Sequence, residues 1–87
     1  MNQTMVILYD PFAVDSIVYV FQDGHIINQA SIPSDASTLA ANIAAYADAT
    51  NIFSVKIEAS PSLVEEIKQQ LNTTNYTKQK IEVEGIY

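Results

Sequence analysis

The chain has 87 residues, of which 48% are hydrophobic, with two glycines and three prolines. This length suits one domain around one core, residues 1–87, and the composition excludes the disordered class. There is no cysteine, which excludes disulfides, thiolate metal sites and cysteine nucleophiles. No basic leader or long apolar run is present, so we expect a cytoplasmic protein without a membrane segment.

Acidic residues dominate the charge. Ten acidic residues face four lysines, arginine is missing, and the net charge is −6. Because phosphate binding depends on Lys and Arg, nucleic acid is an unfavoured partner. An acidic surface is typical of plain solubility, with recognition of a basic partner as the alternative.

Three strands are predicted in the first 32 residues. The apolar run from Met5 to Tyr9 predicts a strand buried on both faces, which Asp10-Pro11 ends. Ile17 to Phe21 predicts a second strand. Asp23-Gly24 then predicts a two-residue hairpin turn, so that His25 to Ile32 returns antiparallel. This third strand has no acidic residue, lysine or proline, which predicts an unguarded edge.

Helices and strands alternate in the rest of the chain. Ser34-Asp35 is a predicted cap for a helix whose apolar stripe is Leu39, Ile43, Tyr46 and Ala47. A half-buried strand follows from Phe53 to Ala59. Ser60-Pro61 predicts the start of a second helix, and Ser62 and Glu65 have capping-box spacing. Ile81 to Gly85 predicts the last strand.

The element order β-β-β-α-β-α-β restricts the topology. A hairpin meander that leads into two right-handed crossovers predicts an α/β fold with a five-stranded mixed sheet in order 3-2-1-4-5. Strand 2 is then antiparallel to the others, and both helices lie on one face of the sheet.

Two short segments carry a family likeness. Tyr9-Asp10-Pro11 ends strand 1 and Lys56-Ile57-Glu58 ends strand 4. With this element order, the chain resembles the ribonuclease H-like fold, and most of all its Holliday-junction resolvase-type members. Those members have an Asp-Pro-Gly at the end of strand 1 and a Glu at the end of strand 4. Here Phe12 replaces the glycine.

The resemblance implies a minimal form of that fold. The family's further acids come from a helix after strand 5, which the 87 residues do not include, so we expect no nuclease activity. Its sugar-kinase and actin-type relatives need a glycine-rich phosphate loop after strand 1, and none is present, so ATP is not expected. There is a fainter likeness to short uncharacterised phage-encoded proteins that begin around Ile-Leu-Tyr-Asp-Pro, which implies location in a host cytoplasm.

Asp10 and Glu58 are the candidate site. They are expected at the carboxyl ends of adjacent parallel strands, where open α/β sheets bind ligands. Two close carboxylates attract a divalent cation, the one cofactor we consider, and Asp15 is a candidate third ligand. The alternative is structural: Asp10 caps the strand end and Glu58 pairs with Lys56 in solvent. His25 is expected to be an exposed turn residue.

The second face of the sheet provides the other hypothesis. By alternation it carries Val6 and Leu8, joined by apolar residues of strands 2 and 3, with acids over strands 4 and 5. We predict an interface formed by Val6, Leu8, Tyr19, Phe21 and Ile27. The leading hypothesis is a non-catalytic interaction module that self-associates or docks on a protein. The alternatives are a metal-dependent nuclease-like domain and an acidic inhibitor that mimics nucleic acid.

Overall fold

The computed structural model describes residues 2–73 and 79–86. The elements in these ranges occur in the predicted order: β1 (Gln3–Leu8), β2 (Asp15–Gln22), β3 (His25–Pro33), α1 (Leu39–Thr50), β4 (Ser54–Glu58), α2 (Pro61–Thr73) and β5 (Glu82–Ile86). The predicted strand positions are confirmed, with ends that move by a few residues.

The sheet has the predicted strand order, β3-β2-β1-β4-β5. β2 is antiparallel to β1 and β3, whereas β1 pairs in parallel with β4, and β4 with β5. β1 is therefore the central strand. The hairpins place β2 and β3 on one side of it, and the crossovers place β4 and β5 on the other.

Both helices cover the same face of the sheet. α1 packs against α2 and β3, and α2 packs against β5. One core unites them with the sheet: Met5, Ile7, Val18, Val20, Ile32, Leu39, Ala40, Ile43, Ala44, Ala47, Ile52, Val55, Ile57, Val64, Ile67 and Ile81. The predicted α1 stripe is confirmed, with Tyr46 half-buried beside this core.

β1 is buried on one face only, so the prediction of two buried faces was wrong. Met5 and Ile7 are fully buried, while Val6 and Leu8 are half-buried. The cause is the helix arrangement, because both helices cover the face to which Met5 and Ile7 point.

The β2–β3 hairpin turns at the predicted dipeptide. Asp23 and Gly24 have φ angles of 53° and 82°, in the left-handed region that a two-residue turn requires. Further along, the register shifts opposite Val20, so that β3 contains one extra residue, Ile27, as a β-bulge.

The predicted cap of α1 is wrong, whereas the predicted Ser60 cap of α2 is confirmed. α1 begins after Thr38, and the Oδ1 of Asp35 instead accepts bonds from the N–H (3.0 Å) and hydroxyl (2.8 Å) of Ser37. Three intervening residues form a turn, which separates Asp35 from the helix. α2 begins at Pro61, so its cap is Ser60, whose Oγ accepts the N–H of Leu63 at 3.4 Å.

The Ser62–Glu65 capping box therefore does not form. Ser62 already lies inside the first turn of α2, so its spacing to Glu65 no longer spans the helix start. Glu65 forms an exposed ion pair with Lys68 at 3.6 Å instead.

The prediction of an unguarded β3 edge is also wrong. The strand includes Pro33, which has no N–H to offer. The N–H of Gln29 is already bonded to the Oδ1 of Asn28 at 2.9 Å, and the bulge at Ile27 interrupts the ladder. All three features disfavour the addition of another strand at this edge.

Candidate functional site

Asp10 and Glu58 lie at the carboxyl ends of the neighbouring parallel strands β1 and β4, as predicted. The N–H of Tyr9 donates to the backbone carbonyl of Glu58 at 3.2 Å, which holds the ends of β1 and β4 together. Asp10 is the next residue along the chain. This end of the sheet is the topological switch point, where the chain passes from one side of β1 to the other. Open α/β sheets usually bind ligands at this position.

The backbone and one carboxylate oxygen of Asp10 are occupied by the loop it begins. Its Oδ1 accepts the N–H of Phe12 at 2.9 Å, and its carbonyl accepts the N–H of Ala13 at 3.3 Å. Its own N–H donates to the Oγ of Ser16 at 3.0 Å. Asp10 therefore shapes the β1–β2 loop, as the structural alternative proposes.

The three predicted metal ligands are not gathered into one cluster. Across residues 2–73 and 79–86, no group of three His, Asp or Glu side chains is placed to hold a metal ion. Asp15 is exposed at the start of β2, where it pairs with Pro33 of β3. Glu58 is exposed and has no ion pair with Lys56 among the contacts of the described residues. Metal binding by Asp10 and Glu58 therefore stays a prediction.

An open cleft of about 790 Å³ lies at this edge. Of the three candidate carboxylates only Glu58 lines it, together with Tyr9, Pro11, Ala59, Ser60 and Ile86. One carboxylate among mainly apolar side chains is a poor substitute for the oxygen cage that Mg²⁺ or Ca²⁺ requires.

Two buried hydroxyls brace the same edge. Ser16 and Ser34 are 1% and 6% exposed, and their Oγ atoms are 2.7 Å apart. Ser16 also accepts the Asp10 N–H, and the N–H of Ser34 donates to the carbonyl of Val14 at 2.9 Å. Both ends of the β1–β2 loop are therefore fixed to this pair. Sequence reasoning missed it, although Ser16 shares the inward side of β2 with Val18 and Val20.

The face of the sheet opposite the helices, here called the open face, is divided in two. Its apolar half, over β1, β2 and part of β3, consists of Val6, Leu8, Ile17, Tyr19, Phe21, Ile26 and Ile27. Its charged half, over β4 and β5, consists of Lys56, Glu58, Glu82 and Glu84. The registers confirm the predicted division over β1, β2, β4 and β5, whereas the prediction of an apolar β3 holds only at Ile26 and Ile27.

No described residue packs over the apolar half. Ile17, Ile26 and Ile27 are 40%, 55% and 50% exposed, and the half-buried Val6, Leu8, Tyr19 and Phe21 lie between them and β4. Polar residues take over along β3, where Gln29 pairs with Tyr19 and Ser31 with Ile17. The apolar half is therefore centred on β1 and β2.

The β1–β2 loop adds exposed apolar side chains that sequence reasoning missed. Phe12 is 97% exposed and Val14 is 88% exposed. The available signal was Pro11 to Val14, an apolar tetrapeptide placed in a loop between Asp10 and Asp15. His25, by contrast, is exposed beside the hairpin turn as expected.

Comparison of the sequence with protein-family models and with curated proteins gives no match. Within the described residues, no helix is long and apolar enough to cross a membrane.

Proposed function

We propose that this protein is a non-catalytic interaction module built on a minimal ribonuclease H-like fold, and that two copies associate by burying the apolar halves of their open faces. The observation that carries the proposal is the half-uncovered sheet. Two cross-strand pairs of β1 and β2, Leu8–Ile17 and Val6–Tyr19, are large and apolar, Phe21 extends them, and no described residue covers them.

The area available suits a second copy. The seven side chains of the apolar half expose on the order of 400 Å², the size of the largest apolar patch on a typical monomer, and such a patch is often functional. Burying that area on both copies yields a gross gain of about 20 kcal/mol at ~25 cal/mol per Å². Association costs roughly 4–15 kcal/mol in lost freedom and ordering, so the surplus supports a dimer.

The main competing mode, pairing of two β3 edges, has less support. Pro33, the Asn28–Gln29 bond and the bulge at Ile27 all disfavour a further strand there. Two proteins of charge −6 also repel, and the apolar half is the part of the open face where they approach without placing carboxylates together.

The test places a charge in the apolar half. Leu8→Lys puts an ammonium group at the half-buried outward position of β1, and Gln69→Lys puts the same charge on the exposed side of α2 as the control. Light scattering coupled to size exclusion is expected to give a dimeric mass for the parent and Gln69→Lys, and a monomeric mass for Leu8→Lys with an unchanged circular dichroism spectrum.

A parent that is monomeric at about millimolar concentration contradicts the proposal, since the smallest surplus, about 5 kcal/mol, corresponds to a Kd of about 0.2 mM. Unfolding of Leu8→Lys in a monomeric parent would show that Leu8 belongs to the core.

A further inference from the structure

Resting on the proposed function, we infer that the two copies stack about a twofold axis that runs along the strands between β1 and β2, so that the two β1–β2 loops meet on the axis. In this arrangement β1 of each copy lies on β2 of the other, and β4 lies on the second copy's β3. The exposed Phe12 and Val14 then become interface residues.

Two arrangements of the stacked sheets keep their strands aligned. Stacked sheets with aligned strands keep their strand directions within about 30° of each other. A twofold axis between the two open faces then runs either along the strands or across them. An axis across the strands stacks every strand on its own copy, wherever the axis lies along the strand length.

The charged half disfavours the axis across the strands. Lys56, Glu58, Glu82 and Glu84 carry one positive and three negative charges, a net of −2. An axis across the strands places this half on its own copy, however the sheets slide. An axis along the strands, between β1 and β2, instead places β4 over the uncharged β3 and leaves β5 beyond the edge of the second copy.

The loop favours the same axis independently. The β1–β2 loop connects the two strands that flank the axis, so both loops lie at one end of the dimer and face each other. Stacked sheets are about 10 Å apart, a gap that apolar side chains from both loops can fill. An axis across the strands places the two loops at opposite ends of the dimer, so that Phe12, which is 97% exposed in the single chain, does not meet its copy.

This arrangement has one electrostatic cost. Asp10 and Asp15 flank the loop, so that Asp10 of each copy lies over Asp15 of the second copy. Both side chains are exposed at the end of the sheet, where water and salt, with a Debye length of ~8 Å at physiological ionic strength, screen their repulsion.

Single engineered cysteines test the arrangement. Because the chain contains no cysteine, no other thiol can form a cross-link. Ala13→Cys lies in the loop and Glu84→Cys lies on β5, and both positions are exposed. At a concentration where the protein is dimeric, a bismaleimide whose span matches the stacking distance should give a cross-linked dimer for Ala13→Cys and none for Glu84→Cys. The reverse pattern, or no cross-link at either position in a protein that is dimeric by mass, overturns the arrangement while the proposed function stands.

A pair of truncations gives a second readout. Phe12→Ser is expected to weaken the dimer at least tenfold, whereas Ile86→Ser, at an exposed apolar position on β5, should leave its Kd within about twofold. An axis across the strands predicts the opposite, since it buries β5 against its copy and separates the two loops. A monomeric parent overturns the proposed function itself, and with it this inference.

Discussion

Removal of the buried Ser16 hydroxyl should destabilise the protein by more than the small size of this group suggests. Ser16→Ala deletes a group that is 1% exposed and has two partners, the Oγ of Ser34 at 2.7 Å and the N–H of Asp10 at 3.0 Å. The loss of volume costs little, because alanine lacks only the oxygen atom of the serine side chain. The effect arises from the groups that lose their partner.

The two orphaned groups differ in their access to water. Ser34 is 6% exposed, so its hydroxyl has no easy replacement partner and contributes most of a desolvation penalty of about 1–3 kcal/mol. Asp10 is exposed, so its N–H can turn to water at a smaller cost. We expect a total loss of about 2 kcal/mol in the free energy of unfolding, or roughly 8–16 °C in Tm for a domain of this size.

Urea unfolding followed by circular dichroism measures this loss, with Ser31→Ala on the exposed side of β3 as the control. The double variant Ser16→Ala/Ser34→Ala should recover part of the loss, because it removes the orphaned hydroxyl together with its partner. A loss below about 0.5 kcal/mol for Ser16→Ala, equal to an ordinary surface change, would show that water replaces the missing bonds.

Two further predictions concern the turns. Gly24→Ala should cost about 1 kcal/mol in urea unfolding although the space around a Cβ is empty, because its φ of 82° strains any L side chain; a loss near zero would contradict this. Hydrogen bonds from the hydroxyl and then the N–H of Ser37 lower the pKa of Asp35. Its stabilising contribution is therefore complete above the unfolded pKa of about 3.9 and is lost as pH falls through the folded value. Carboxyl NMR titration checks the direction, and a pKa above the usual value would contradict it.

The sheet was predictable because its signals are local. The Asp23-Gly24 dipeptide requires a tight turn, and alternation of apolar residues assigns each strand one inward side. The handedness of crossovers then leaves few sheet orders. The same alternation assigned Val6 and Leu8 to the open face before the structure placed the helices on the other side.

The errors concern residues whose roles depend on distant partners. Ser34 has the composition of a helix cap, but its hydroxyl is bonded to Ser16, eighteen residues earlier in the chain. The guard on β3 depends on the rotamer of Asn28 and on where the strand ends. The exposure of Phe12 depends on a loop that projects from the sheet, which no periodicity describes.

Asp10 shows how the metal and structural hypotheses can be separated. A turn needs only an acceptor at Oδ1 for the Phe12 N–H, and asparagine keeps that acceptor without the charge. A metal ligand needs the charge itself. If Asp10 serves the turn, Asp10→Asn should unfold within about 0.5 kcal/mol of the parent, and Asp10→Ala should lose about 1 kcal/mol with its hydrogen bond.

In that case millimolar Mn²⁺ should leave the Tm of the parent and of Asp10→Asn equally unchanged, and neither should cleave DNA or RNA. A Mn²⁺-dependent rise in Tm that Asp10→Asn abolishes would instead assign the residue to a metal, because folded protein is stabilised by whatever binds it selectively. Cleavage abolished by the same substitution would refute the non-catalytic function. The structure favours the turn, since Oδ1 of Asp10 is already occupied by the backbone and the described residues place no third acid within reach of a shared ion.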